Sequence, residues 1–479
     1  MKRAFIWLWL AAFLLALGVS PGFQSYETPD FTTVRSIVVS GQFGLDRRYN
    51  ANVYQALDGR WYEVHDIGAV LFAVPIGIVA ERVAAATHQP YPRVYELLLC
   101  MSGCALYATT LMLLLALLGR MGVRPEDSAA PLFVLLSTSQ YFVHSVAPPD
   151  LAIATPFVVA ALYAWRRAED GMTIAWGWAG LCVGAALLIK VSLATIAVAL
   201  LCRIGYVGLR SARPRHAVFA ACLFGVGLLP GLLGTGWWNH VRTGSVWVGT
   251  YPAWIHGFRP TYLGFGLAEA VFSPNKGVLA YTPTLLLLAW SCRREGFLRR
   301  QPAFAFVVGA SFLMTLFRLS GTIAASSSGG WGNRYYIPWM ALFMIPIAAD
   351  WRRIHPRAIA LGLVALGGIL GAAALITNWH FRQTLCGAAS WQWHGTNACA
   401  VLAAPSNLAR AAGANIPDVV APNVSTADLL ISNRLAFWWY AIRTAGVPDW
   451  ISWTIGGTLF AGMAACLLAF RAAVTREAR

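Results

Sequence analysis

Apolar runs of roughly 20 residues, each long enough to cross a bilayer, alternate with short polar breaks along the whole chain. They fall near residues 4–22, 95–118, 128–146, 150–166, 173–189, 191–208, 216–236, 279–292, 302–318, 335–350, 358–376 and 451–471. The pattern predicts an all-α polytopic membrane protein with about twelve transmembrane helices. Two further segments of the first long polar loop are apolar but short. Phe31 to Val39, opened by Pro29–Asp30, and Ile67 to Val83, which follows Asp66 without a basic stop, are expected to lie at the membrane interface. Counting the second as a span would invert every later segment.

The basic residues test this map. Lys2/Arg3, Arg120/Arg124, Arg166/Arg167, Arg203/Arg210/Arg213/Arg215, Arg293/Arg294/Arg299/Arg300, Arg352/Arg353/Arg357 and Arg471/Arg476/Arg479 sit at alternate ends of successive spans. By the positive-inside rule both termini are then cytoplasmic. Lys2 and Arg3 lead into an apolar run to Val19 with no Ala-x-Ala cleavage site after it, so the first run reads as a retained span. The opposite ends define an outer face: residues 22–93, 146–150, Lys190, 237–276, 318–334 and 378–450.

Composition agrees. With 58% hydrophobic and 12% charged residues among 479, no soluble surface can be covered. The net charge of +16 is dispersed in these clusters, so it reads as topology rather than as a nucleic-acid stripe. Residues 1–376 form the transmembrane domain with its first outer loop (23–93), 377–450 an extracytoplasmic cap, and 451–479 the last span and tail. Most of the nine cysteines lie in or beside apolar runs. Cys386 and Cys399 share a polar loop, where a disulfide is an open alternative, and Asn423 opens a bare sequon.

The first outer loop gathers Glu27, Asp30, Asp46, Asp58, Glu63, His65 and Asp66, out of only 20 acidic residues in the chain. Glu27 and Asp30 stand where span 1 meets water. A half-buried carboxylate there is a candidate catalytic base for an acceptor hydroxyl, and helix capping is the alternative. Lys190 interrupts two apolar runs; it either snorkels or meets a lipid phosphate. Lys276 in Phe272-Ser273-Pro274-Asn275-Lys276-Gly277 and Arg334 in Gly330-Trp331-Gly332-Asn333-Arg334-Tyr335-Tyr336 each place a cation at a helix start, suited to phosphate or to headgroups. His65 and Asp66 complete the substrate-binding candidates, His65 either binding a ligand or a metal or being structural beside Asp66. There is no Gly-x-Gly-x-x-Gly, Walker-type or His-Glu-x-x-His motif. A nucleotide-driven pump or a zincin is thereby disfavoured, and the donor is expected from the membrane.

Tyr26-Glu27-Thr28-Pro29-Asp30-Phe31 followed by Ser40-Gly41, the stretch Asp58 to Gly68 ending at Pro75, and Leu188-Ile189-Lys190 resemble segments of the GT-C superfamily of integral-membrane glycosyltransferases. That group includes protein O-mannosyltransferases and the lipid A aminoarabinose transferase. The resemblance implies a sugar transferase of a bacterial inner membrane, drawing on a polyprenyl-phosphate-linked donor and serving an envelope lipid, glycan or protein acceptor. Tyr335 joins the substrate-binding set through the Gly-Asn-Arg-Tyr motif. The family's adjacent Asp-Glu pair is here Glu27-Thr28 with Asp30 after Pro29, so either acid can hold the base role. No cofactor is required by the sequence. Metal dependence varies in the superfamily, so a divalent ion is possible and none is inferred. Two other readings stand beside this one, a lipid-linked glycan flippase or exporter and a non-catalytic membrane scaffold.

Overall fold

The computed structural model describes residues 2–21, 31–48, 53–210, 214–249, 257–273, 277–322, 333–376, 404–409, 411 and 437–477. Apart from one small hairpin, the described elements are helical. They are α1 (Lys2–Val19), α2 (Phe31–Ser40), β1 (Val53–Gln55), β2 (Trp61–Glu63), α3 (Ile67–Thr87), α4 (Tyr91–Arg120), α5 (Pro125–Ser137), α6 (Gln140–Ser145), α7 (Asp150–Glu169) and α8 (Ala175–Ile189). A short turn at Val191–Leu193 leads into α9 (Ala194–Arg210). There follow α10 (Pro214–Thr243), α11 (Leu263–Phe272), α12 (Pro302–Ser320), α13 (Ile337–Ala349), α14 (Arg357–Ile376) and α15 (Asp449–Glu477). Seven helices among the described residues are long and apolar enough to cross a membrane, namely α3, α4, the 191–210 helix, α10, α12, α14 and α15. The chain is a multi-pass membrane protein.

Two expected spans are broken. The run 128–146 divides into α5 and α6 at Thr138–Ser139, whose hydroxyls turn back to the carbonyls of Val134 (3.0 Å) and Leu136 (2.7 Å) and satisfy acceptors that the break exposes. The run 279–292 divides into Val278–Tyr281, Pro283–Leu287 and Leu288–Ser291, because Pro283 has no N–H to continue a helix. The breaks are neighbours: Gln140 N–H donates to Thr282 Oγ1 at 3.2 Å, so one interrupted helix caps the other. The strand pair β1–β2, which the apolar pattern did not predict, is antiparallel with Tyr54 opposite Tyr62.

The basic clusters converge on one end of the bundle. Arg120 pairs with Asp170 (3.9 Å), Arg203 with Glu169 (2.8 Å), Arg300 with Asp350 (2.9 Å) and Arg352 with Asp127 (2.7 Å), and Gln301 Nε2 donates to the carbonyl of Met121 (3.1 Å). The termini of α4, α5, α7, α9, α12 and α13 are thus tied together. At the other end of α7, about 30 Å away at 1.5 Å per residue, lie Asp150 and Lys190. Two polar tiers therefore bound a layer of hydrocarbon thickness.

Gly103 of α4 packs against the Ser145 carbonyl and Pro148, level with the Asp150 tier. The rest of α4, from 103 to 120, spans about 26 Å to the basic tier, so its first three turns stand outside the layer. α3 packs on that outer part. Val34, Ala56, Tyr62, Ile67, Val70, Ala73, Ala80, Ala84, Tyr91, Tyr95 and Leu99 form a core separate from the main one. By length and composition α3 is a candidate span, and it packs on α2 as well as on α4. Arg35 of α2 grips Glu81 of α3 with two bonds of 3.1 Å and lies over the Tyr91 ring.

Of the expected cap at 377–450, the described part is 404–409, 411 and 437–450. Trp438 and Trp439 donate to the carbonyls of Leu17 (2.9 Å) and Gly18 (2.6 Å), fastening this segment to the end of α1.

Candidate functional site

Where the first loop returns to the bundle, a buried polar cluster forms from four elements. Lys190 ends α8 with an extended backbone, and its Nζ lies 2.5 Å from Asp150 Oδ2, with side-chain exposures of 9% and 1%. Two helix ends favour these charges: Lys190 sits at the negative C-terminus of α8 and Asp150 at the positive N-terminus of α7. The other oxygen of Asp150 accepts the Leu151 N–H at 2.7 Å. Such partners offset the cost of removing both charges from water.

Asp66 occupies the N-cap position of α3 yet caps a different helix. Its Oδ2 accepts the Val191 N–H at 3.1 Å, satisfying a donor freed at the break between α8 and α9. Gly68, two residues on, permits the contact. A β-carbon there would fall 2.5 Å from the backbone of Leu188–Ile189, so only glycine lets α3 meet α8 backbone to backbone. Burial raises the Asp66 carboxyl above its ordinary range, opposed by Lys190 and the Val191 bond.

A second clamp comes from α10. Arg242, 1% exposed, donates through one guanidinium nitrogen to the carbonyls of Glu63 (3.0 Å), Val64 (2.9 Å) and His65 (3.1 Å), and through the other to Asn239 Oδ1 (2.9 Å). It stacks over Trp238, whose indole N–H also donates to the His65 carbonyl at 3.0 Å. Three consecutive carbonyls pointing at one cation is a loop conformation that a lone strand end cannot hold by itself. The His65 imidazole is pushed down to about 4 by burial and by Lys190, with Asp150 opposing and Arg242 adding. At neutral pH it is therefore uncharged beside two cations.

Of the expected site residues, His65, Asp66 and Lys190 are brought together here. Arg334 lies at the same end by a chain of contacts. Thr195, one turn into the helix after Lys190, meets Thr315 of α12 (2.8 Å), and Phe312 of α12 packs edge-on to Tyr336 (5.6 Å). Arg334, buried, spreads over the Tyr335 ring at 5.3 Å, and the Asn333 side chain accepts the Tyr335 N–H. Glu27, Asp30 and Lys276 lie outside the described residues, as do Cys386, Cys399 and Asn423. Asp150, Arg242 and Trp238 were not singled out by the sequence. Asp150 is the lone acid between Asp127 and Glu169, a signal parallel to that of Lys190. Arg242 lies in the outer-face segment 237–276, apart from the basic clusters. No group of three or more His, Cys, Asp or Glu that could hold a metal ion forms among the described residues.

The fold and this cluster define a helical membrane protein with a buried, charge-paired polar tier under an acidic loop at one end of its bundle. No family model and no curated protein matches the chain. Among solved structures it is similar to ArnT from Cupriavidus metallidurans bound to undecaprenyl phosphate, at 15% identity, over 97% of this chain and 76% of that one, with a TM-score of 0.49. A likeness of that degree assigns no activity.

Proposed function

We propose that the chain is a membrane glycosyltransferase that takes a sugar from a polyprenyl-phosphate donor at the loop end of the bundle, on the extracytoplasmic side, and passes it to an envelope lipid, glycan or protein. The observation that carries this reading is the seating of the acidic loop on the cation tier. Asp66 accepts the Val191 N–H next to the Lys190–Asp150 pair, and the 63–65 carbonyls are held by Arg242. The loop that bears Glu27 and Asp30 is thus anchored at its far end beside buried cations, where a leaving phosphate gains stabilisation as its charge develops.

In this mechanism Glu27 or Asp30 removes the proton of the acceptor hydroxyl. The oxygen attacks the anomeric carbon, the bond to the lipid phosphate breaks, and that phosphate leaves with the electron pair. Lys276 and Arg334 are the proposed phosphate contacts. Lys190, already paired with Asp150, contributes field more than a free ammonium. Packing of the basic-end half disfavours transport: Trp165, Phe297 and Phe304 are fully buried between its helices. The test is product analysis with a panel of polyprenyl-phosphate sugars, comparing the native chain with Glu27→Gln and Asp30→Asn. One of the two variants is expected to lose transfer while inserting normally; full activity in both overturns the assignment.

A further inference from the structure

After α10 the chain does not leave the bundle but folds back along it. Gly244 adopts φ +74°, a left-handed turn residue. Thr243 Oγ1 accepts the Ser245 N–H (3.3 Å) and donates to the Val248 carbonyl (2.9 Å), Ser245 Oγ accepts the Trp247 N–H (3.3 Å), and Asn239 Nδ2 donates to the Val246 carbonyl (3.3 Å). The turn is therefore built, not merely draped. Its product is an exposed apolar edge, with Trp247 91%, Val248 56% and Val246 44% accessible.

The level of that edge can be read from packing. α8 and α10 run in parallel, Gly184 against Gly231 and Leu188 against Gly234. Val246 returns to Gly236, two residues beyond the Leu188 contact, and so to the height of Lys190 at the rim of the apolar layer. Below it, Val226, Leu229, Leu233 and Trp237 are all exposed at helical spacing on one face of α10, a stripe suited to acyl chains. Above it, Leu57 from the β1–β2 hairpin, 81% exposed, rests on Gly244.

We infer that the 244–248 turn, with Leu57, is a leaflet anchor. Trp247 and Leu57 insert at the boundary between headgroups and acyl chains and so hold the acidic loop against the lipid surface. The occupant is lipid because the edge continues the acyl-facing stripe of α10 and ends it with tryptophan, whose amphipathic ring prefers that depth. The inference is independent of sugar transfer.

The test uses the full chain in phosphatidylcholine–phosphatidylglycerol vesicles. Trp247→Cys and, separately, Leu57→Cys are introduced after Cys202, Cys222, Cys292, Cys386 and Cys399 are changed to serine, and labelled with an environment-sensitive nitrobenzoxadiazole; the parent without the added cysteine gives the background. Both labels are expected to shift to the blue, and to lose more intensity to a lipid carrying a nitroxide near its headgroup than to aqueous iodide. Quenching by iodide alone overturns the inference. So does protection from both quenchers, which means a protein surface covers the edge.

Discussion

Removing one member of the Lys190–Asp150 pair should be far more damaging than removing both. The pair is closed at 2.5 Å with side chains 9% and 1% exposed, and each partner lies at a helix end of favourable sign. Lys190→Met leaves Asp150 without its partner in a site that water hardly reaches, and Asp150→Leu strands the ammonium. Each single change is expected to cost about 3–5 kcal/mol. The double variant replaces the pair by apolar groups of similar size and should cost ~1 kcal/mol or less, far below the sum of the singles. The assay is equilibrium unfolding of the purified protein in mild detergent, followed by tryptophan emission, as a double-mutant cycle without added lipid phosphate. Energies that add to within roughly 0.5 kcal/mol would refute the coupling. A stable Lys190→Met would instead show a lysine waiting for a ligand rather than one already balanced.

Arg242→Met should destabilise by about 3–5 kcal/mol, since it removes a buried donor shared by three consecutive carbonyls, and Arg242→Lys by less. Amide exchange across 63–66 reads the loosening, and unchanged protection there contradicts the clamp. Gly68→Ala forces α3 away from the Leu188–Ile189 backbone and is expected to cost roughly 1–3 kcal/mol. If its unfolding midpoint equals that of the native chain, the close approach is not required. For His65 the folded pKa of about 4 lies below the ordinary value of 6.5, so the native state binds fewer protons than the unfolded chain between those values. Stability should therefore fall as pH drops from 6.5 towards 4, by up to about 3 kcal/mol from this group. His65→Gln should flatten that part of the profile, and an identical slope in the variant removes His65 as its source.

The transferable features of the apolar pattern are those that depend on local chemistry. The residues of α4, α10, α12 and α14 are long apolar runs, and a bilayer demands helices there because backbone groups find no other partners. The basic clusters marked one end of the bundle for the same reason, as charges that resist crossing hydrocarbon. Lys190 stood out because a cation between two apolar runs is costly wherever the chain puts it.

What only the tertiary structure decided are the relations between distant segments. Asp150 and Lys190 are 40 residues apart, and nothing local says that one neutralises the other. Asp66 occupies its own helix's cap position and spends its carboxylate on Val191, 125 residues away. Arg242 carries no local mark of its role, and its guanidinium meets the 63–65 carbonyls across 177 to 179 residues. α3 carries the composition of a span, and only the fold shows that it packs on both α2 and the outer part of α4. Hydropathy fixes which segments leave water; which polar group each buried charge meets depends on packing that brings remote residues within hydrogen-bond reach.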